Sequence, residues 1–209
     1  MYTSLSEPWR RCIDLAWEAY CAGSLPIAAV ITDSQGKVLS VGRNRTREVA
    51  AKTPYISASR LAHAEVNALL ALDETKVNRR ECILYTTTEP CPLCMGAARM
   101  MSMGEIRYAS HDPWAGCKDM TQQVPYFAHK PIKMSFLGDA RLEHCLTALQ
   151  YDRLLREGER LVDLFTAWEE SLPVGTQLGK ELFETGTLAA LAEQNVSARE
   201  VLELISQRL

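Results

Sequence analysis

Five short apolar runs of strand length, interleaved with helical stretches, restrict this 209-residue chain to a layered α/β arrangement in which helices cover a sheet. The runs cover 26–31, 38–41, 82–87, 106–109 and 132–137. The first two flank the turn Asp33-Ser34-Gln35-Gly36 and read as a β-hairpin. Trp9, Ile13, Ala16, Trp17 and Tyr20 recur on one face of a first helix that ends near Gly23. Ser4 and Glu7 stand at capping-box spacing before it, and Pro8 suits its first turn. Further helices are expected over 61–72, 92–103 and 142–155, with a polar loop over 43–60. After about Gly158 the strand signals stop. A helix over 161–168, a break at Pro173-Val174-Gly175 and two more short helices follow. The last helix opens on a capping box of Ser197 and Glu200 and buries Val201, Leu202 and Ile205. The expected organisation is one α/β domain over 1–157 and an acidic helical C-terminal extension over 158–209.

Composition narrows the function classes. Charged residues are 23% of the chain and hydrophobic residues 47%, the balance of a stable globular fold. No apolar stretch approaches a bilayer span, and the segment Met1 to Arg11 lacks the apolar core of a secretory signal. A cytoplasmic protein with no membrane partner is expected. Seven cysteines, an odd number spread along the chain, fit reduced thiols better than a disulfide framework. The net charge is -3; residues 1–150 carry 17 basic and 15 acidic side chains, and residues 151–209 carry 6 and 11. Neither part is the strongly basic surface of a dedicated nucleic-acid binder.

Two segments carry chemistry. His63-Ala64-Glu65 lies at the start of the second expected helix, and Pro90-Cys91-Pro92-Leu93-Cys94 lies where the third strand turns into the third helix. Two cysteines three apart at a helix start can point at one ion, and the partial positive charge there favours thiolates. One imidazole (His63) and two thiolates (Cys91, Cys94) suit zinc and leave one tetrahedral position open for a bound water or hydroxide, the mark of a catalytic site. Glu65, two positions from His63, can reach that water and move its protons. Taken alone, a C-x-x-C pair also fits a redox dithiol or half of a zinc ribbon. The redox reading leaves His63 and Glu65 unexplained, and no second C-x-x-C completes a ribbon.

H-x-E followed by P-C-x-x-C is also the signature of the zinc nucleobase deaminases. The chain resembles the cytidine and deoxycytidylate deaminase superfamily, within it most the branch of tRNA adenosine, guanine and fungal-type cytosine deaminases. The resemblance is carried by Pro26 to Val30, Gly42-Arg43-Asn44-Arg45, His63 to Ala68 and Thr88 to Ala97, spanning most of 1–157. It implies a three-layer α/β/α fold with a five-stranded mixed sheet, one zinc per chain and a homodimer whose partner helps close the pocket. It also implies that Asn44 hydrogen-bonds the substrate and that the backbone N–H of Ala64 meets a ring acceptor. The segment from His111 to Gly116 lies near the pocket in relatives; Trp114 there either stacks on a base or belongs to the core, and Tyr126 and Phe127 carry the same two readings. Two departures stand out: Ala28 where the family commonly has Gly, and Ser59-Arg60-Leu61 where relatives often have Asp-Pro. Arg60 reads as a solvated surface residue.

The leading expectation is an enzyme that hydrolyses an exocyclic amine of a small base, nucleoside or related heterocycle to a carbonyl with release of ammonia. One alternative is the same chemistry on adenosine in a tRNA anticodon loop, served by Arg43, Arg45, Arg47, Lys52 and Arg60. The other is a non-catalytic zinc-binding relic, which has no need of Glu65.

Overall fold

Asp33 makes the first turn. Its Oδ1 accepts from the backbone N–H groups of Gln35 and Lys37, both at 2.9 Å, and folds β1 (Ala28–Thr32) back against β2 (Val38–Arg43). The computed structural model describes residues 1–119, 124–158 and 162–209. β1 also pairs antiparallel with β3 (Ile83–Thr86). β3, β4 (Glu105–Tyr108) and β5 (Lys133–Phe136) run parallel to one another. The sheet order β2-β1-β3-β4-β5 is the mixed five-stranded arrangement expected, and each apolar run of the sequence supplies one strand.

Helices pack on both faces. α1 (Glu7–Cys21), α2 (Ala64–Leu70) and α3 (Pro92–Met100) are followed by a one-turn helix, α4 (Pro125–Ala128), before β5, and by α5 (Ala140–Arg156) after it. Strand side chains alternate between the two layers. Ala28, Val30 and Tyr85 join α1 and α5 in one apolar cluster. Ala29, Ile31 and Leu84 join α2 and α3 in the other. β1 is therefore buried at every residue, as its apolar run from Ala28 to Ile31 requires. Gly42 sets how closely α2 lies on β2: a Cβ there would sit 2.2 Å from the Ala64 carbonyl oxygen and 2.3 Å from the Ala68 nitrogen. Asn67 then ties the polar loop to the same helix. Its Oδ1 accepts from the Ile56 N–H at 2.9 Å, and its Nδ2 donates to the Arg43 and Ile56 carbonyls, both at 3.2 Å.

Several boundaries differ from the sequence expectation. Ser4 and Glu7 form no capping box: Ser6 is the N-cap of α1, and the Ser4 hydroxyl donates to the Met1 carbonyl inside a short 3-10 turn. α2 begins at Ala64 rather than 61, because Ser59 to Ala62 make a turn and His63 is extended. α3 stops at Met100, where the chain turns through Ser102 at a φ of 58°. The break expected at Pro173 falls at Leu172, and Pro173 itself opens the next helix. It lacks the N–H that a first helical turn leaves unused, so the chain runs on as α7 (Pro173–Glu184) directly after α6 (Val162–Ser171). Leu161, the expected first residue of that earlier helix, lies outside the described residues.

α8 (Thr187–Glu193) and α9 (Ala198–Gln207) complete the fold. The Ser197–Glu200 capping box forms, and Val201, Leu202 and Ile205 are buried as expected. They share the apolar cluster of α1 and α5. The Trp17 Nε1–H donates to the Val196 carbonyl at 2.8 Å, and the N-terminal ammonium meets Glu203 at 3.0 Å. Among the described residues, no helix is long and apolar enough to cross a membrane, and all seven cysteines are free thiols.

Candidate metal centre and pocket

Two helix starts meet at the end of β3. His63 is the N-cap of α2, Cys91 is the N-cap of α3, and Cys94 lies in the first turn of α3. The Sγ atoms of Cys91 and Cys94 are 3.5 and 3.4 Å from His63 Nδ1 and 3.7 Å from each other. Tetrahedral zinc bonds of roughly 2.3 Å to sulfur and 2.0–2.1 Å to nitrogen would set these separations near 3.6 Å for S···N and 3.8 Å for S···S. The donor set therefore fits such an ion without rearrangement.

The charges suit a cation as well. The Cys94 thiol bonded to it, together with His63, holds Cys91 down at about 4. Cys94 is pushed the other way by the same bond, by burial and by Glu65. His63 is raised by its bond to Cys91, against the opposing pull of burial.

Glu65 sits one helical residue beyond Ala64 and is 3% exposed. Its Oε1 accepts from the Thr86 hydroxyl at 2.8 Å, and its Oε2 lies 3.2 Å from Cys94 Sγ. Burial is the main cause that raises its pKa, with the negative Cys91 adding to it. A carboxyl held in that way accepts and returns a proton more readily near neutral pH than an exposed one.

His63, Glu65, Cys91 and Cys94 line one wall of a cavity of about 190 Å³. Asn44 lines it too. It is 2% exposed, and its Oδ1 is committed to the Thr46 N–H and hydroxyl at 3.1 and 2.8 Å, which leaves Nδ2 as the amide's other hydrogen-bonding group. Trp114 lines the rim and is 48% exposed, so it is not a core residue. Asp112 holds that loop by accepting from the Trp114 and Ala115 N–H groups at 3.0 and 2.9 Å. Ala64 is fully buried and is not a lining residue; its N–H stands at the first position of α2, where no intrahelical acceptor exists. Tyr126 packs under Arg99 and Phe127 is buried, both away from the cavity. Arg60 is exposed.

Part of the cavity wall did not come from sequence reasoning. Thr88 and Gln150 line it, the Gln150 Nε2 donating to Thr88 Oγ1 at 2.8 Å. Leu164 and Trp168 reach it from α6. A glutamine among the apolar positions of α5 was the one signal available; nothing local marks Trp168. Three of the five basic residues between Arg43 and Arg60 are engaged in ion pairs. Arg43 and Arg45 pair with Glu48, and Arg47 pairs with Glu157 at 2.9 Å.

A family model described as the cytidine and deoxycytidylate deaminase zinc-binding region matches residues 3–110. A tRNA(Ile)-lysidine synthase of Deinococcus radiodurans is 35% identical over 104 residues, which are 49% of this chain and 16% of that protein. The guanine deaminase of Bacillus subtilis is 33% identical over 48% of this chain and 61% of its own length. The tRNA-specific adenosine deaminase of Agrobacterium fabrum is 33% identical over 59% of this chain and 80% of its own length. The chain thus spans less than two thirds of the first two of these relatives. The solved structure of NE0047 in complex with 2,6-diaminopurine has the same fold, with a TM-score of 0.52 at 20% identity over 76% of this chain and 87% of that one.

Proposed function

The chain belongs to the cytidine and deoxycytidylate deaminase family, and on that premise we propose that it is a zinc-dependent hydrolytic deaminase of a small base, nucleoside or related heterocycle. One observation carries this reading: the buried Glu65 carboxyl stands 3.2 Å from Cys94 Sγ, at the cavity wall where the His63, Cys91 and Cys94 donor atoms lie within 4.8 Å of one another. His63, Cys91 and Cys94 would hold the zinc. When bound, zinc supplies the Lewis acidity that makes water a nucleophile near neutral pH. Glu65 takes a proton from the attacking water and passes protons to the ring nitrogen and to the departing amine. A C–O bond forms, the C–N bond breaks and ammonia leaves. Asn44 orients the ring through Nδ2, the Ala64 N–H meets a ring acceptor, and Trp114 stacks at the rim.

A small substrate is supported over a tRNA loop by the ion pairs of Arg43, Arg45 and Arg47 with Glu48 and Glu157, which offset part of the local positive charge. Exposed Leu70, Leu93 and Met100 on the adjoining helices α2 and α3 support a homodimer, which light scattering would check against a monomer. The test of function is ammonia release from a panel of free bases, nucleosides and an anticodon stem-loop. Turnover of the stem-loop alone, falling steeply as salt rises, would overturn the small-substrate reading. No ammonia from any of them, with zinc bound, would favour the relic.

A further inference from the structure

Trp168 is the least explained residue of the pocket. It is 3% exposed, it lines the cavity, and its Nε1–H finds no acceptor among the described residues. A buried indole N–H without a partner is destabilising, and a molecule in the cavity is the natural source of an acceptor. The residue is held firmly in place. Leu164, one turn earlier on α6, lines the cavity from the same helix face. The intervening Phe165 packs edge-on against Tyr151 of α5 at 5.3 Å. Glu169 accepts from the Tyr151 hydroxyl and pairs with Lys180 of α7 at 2.7 Å.

Gln150, on α5 beside Tyr151, adds a second polar group. It is 3% exposed, and because its Nε2 is committed to Thr88, Oε1 is the atom it can offer a bound molecule. Gln150, Leu164 and Trp168 all lie beyond residues 3–110, the span shared with the family.

Size and charge complete the picture. A cavity of about 190 Å³ falls below the roughly 300–1,000 Å³ of sites for drug-sized ligands, so it suits one small ring system. The carboxyls of Glu65, Glu89 and Asp112 line it together with two cysteines, and among the described residues no lysine or arginine does. Lys118 meets Glu89 at 3.8 Å from outside that lining. A phosphate entering here would face these carboxyls with no lysine or arginine in the lining to receive it.

We propose that Trp168, with Gln150 and Leu164, is the specificity wall of this pocket and fits it to an uncharged free heterocyclic base bearing both an acceptor and an N–H donor, to the exclusion of phosphate-bearing nucleotides. This deepens the deaminase reading and rests on it only for turnover. Trp168 donates from Nε1 to the acceptor, and Gln150 Oε1 receives the N–H.

The test uses the zinc-loaded full chain and the free bases cytosine, adenine and guanine, with their nucleosides and 5′-monophosphates. Trp168→Phe keeps the bulk and removes the donor. It should raise KM for the preferred base by about ten- to hundredfold with kcat changed much less. Trp168→Ala should also open the wall and raise the nucleoside-to-base ratio of kcat/KM. Binding of the same bases to the Glu65→Gln protein, read by calorimetry with and without Trp168→Phe, separates this inference from the chemistry. Base binding that weakens with Trp168→Phe, together with no deamination of any base by the zinc-loaded parent chain, would uphold the wall and sink the deaminase reading. Unchanged base affinity and KM in Trp168→Phe, absence of base binding, or a preference for monophosphates would overturn the inference.

Discussion

Glu65 and Thr86 are joined by a 2.8 Å hydrogen bond from the threonine hydroxyl to carboxyl Oε1, both residues being buried. The bond fixes a carboxyl on the first turn of α2 to the last residue of β3 and leaves Oε2 beside Cys94. Glu65→Gln preserves shape and removes the proton carrier. The variant is expected to keep its zinc and its fold while kcat falls by about 10²–10⁴-fold, the usual loss for a general acid–base group. Steady-state ammonia release with metal analysis on the same sample checks this; activity within tenfold of the parent would show that protons move by another route.

Zinc content is expected at one per chain, and Cys91→Ala combined with Cys94→Ala should abolish it. Uptake by the stripped protein should also release protons. Cys91 is already a thiolate at neutral pH, being held at about 4, whereas Cys94 is pushed up by its bond to Cys91 and keeps its proton until a cation replaces it. Affinity should therefore fall as pH falls, because ligation requires both thiolates. Metal analysis and a pH-indicator titration read the two outcomes, and zinc retained by the double variant would remove the assignment of these cysteines.

The legible and illegible parts of this molecule divide on physical grounds. His63, Glu65, Cys91 and Cys94 could be read because the chemistry needs those residue types at fixed spacings on two helix starts, and spacing survives in sequence. The strands could be read because β1 is buried on both faces and so carries no polar residue before Thr32. Trp168 could not be read. Its place in the pocket depends on where α6 settles against α5, a long-range contact through Phe165 and Tyr151 that periodicity within α6 does not encode. Ser4 misled because capping-box spacing records only the possibility of a bond, and its hydroxyl found the Met1 carbonyl first. Pro173 marked a real interruption at Leu172, but proline suits the opening of a helix as well as its end, and residues 173–175 are helical.

Stability should carry an acid-labile component from Glu105. Its carboxyl accepts from Arg107 Nε at 2.6 Å and from Lys133 Nζ at 3.3 Å. The Arg107 bond is the main cause that lowers its pKa, and Lys133 adds to it. A carboxyl with a depressed folded-state pKa stabilises the fold above its unfolded value, and that contribution disappears as pH falls through the folded value. Glu105→Gln is expected to lower Tm by about 2–4 °C at pH 7, allowing about 1 kcal/mol for a partly screened pair. The gap between parent and variant should close as the pH drops below the ordinary carboxylate range. Thermal melts of both proteins across pH test it; a gap that widens in acid would reverse the sign.

The packing of α7 on α5 gives the last prediction. A Cβ at Gly175 would lie 2.5 Å from Thr147 Cβ and 3.0 Å from the His144 carbonyl oxygen, and one at Gly179 would lie 2.8 Å from Tyr151 Cβ and 2.9 Å from the Ala148 carbonyl oxygen. None of these atoms is the free end of a flexible side chain, so a methyl group at either position forces the helices apart. Alanine in a helix interior ordinarily gains about 1 kcal/mol over glycine, and it gains less near a helix start such as Gly175. Overpacking of a tight contact costs about 1–3 kcal/mol and should win here. Gly175→Ala combined with Gly179→Ala is therefore expected to lower Tm by several degrees, where the same exchange on an exposed helix would raise it. The shift should reach the pocket as well. Tyr151 anchors α6 through Phe165 and Glu169, and Gln150 is its neighbour, so the double variant should also raise KM for the preferred base. A higher Tm would mean that α7 stands farther from α5 in solution than this contact requires.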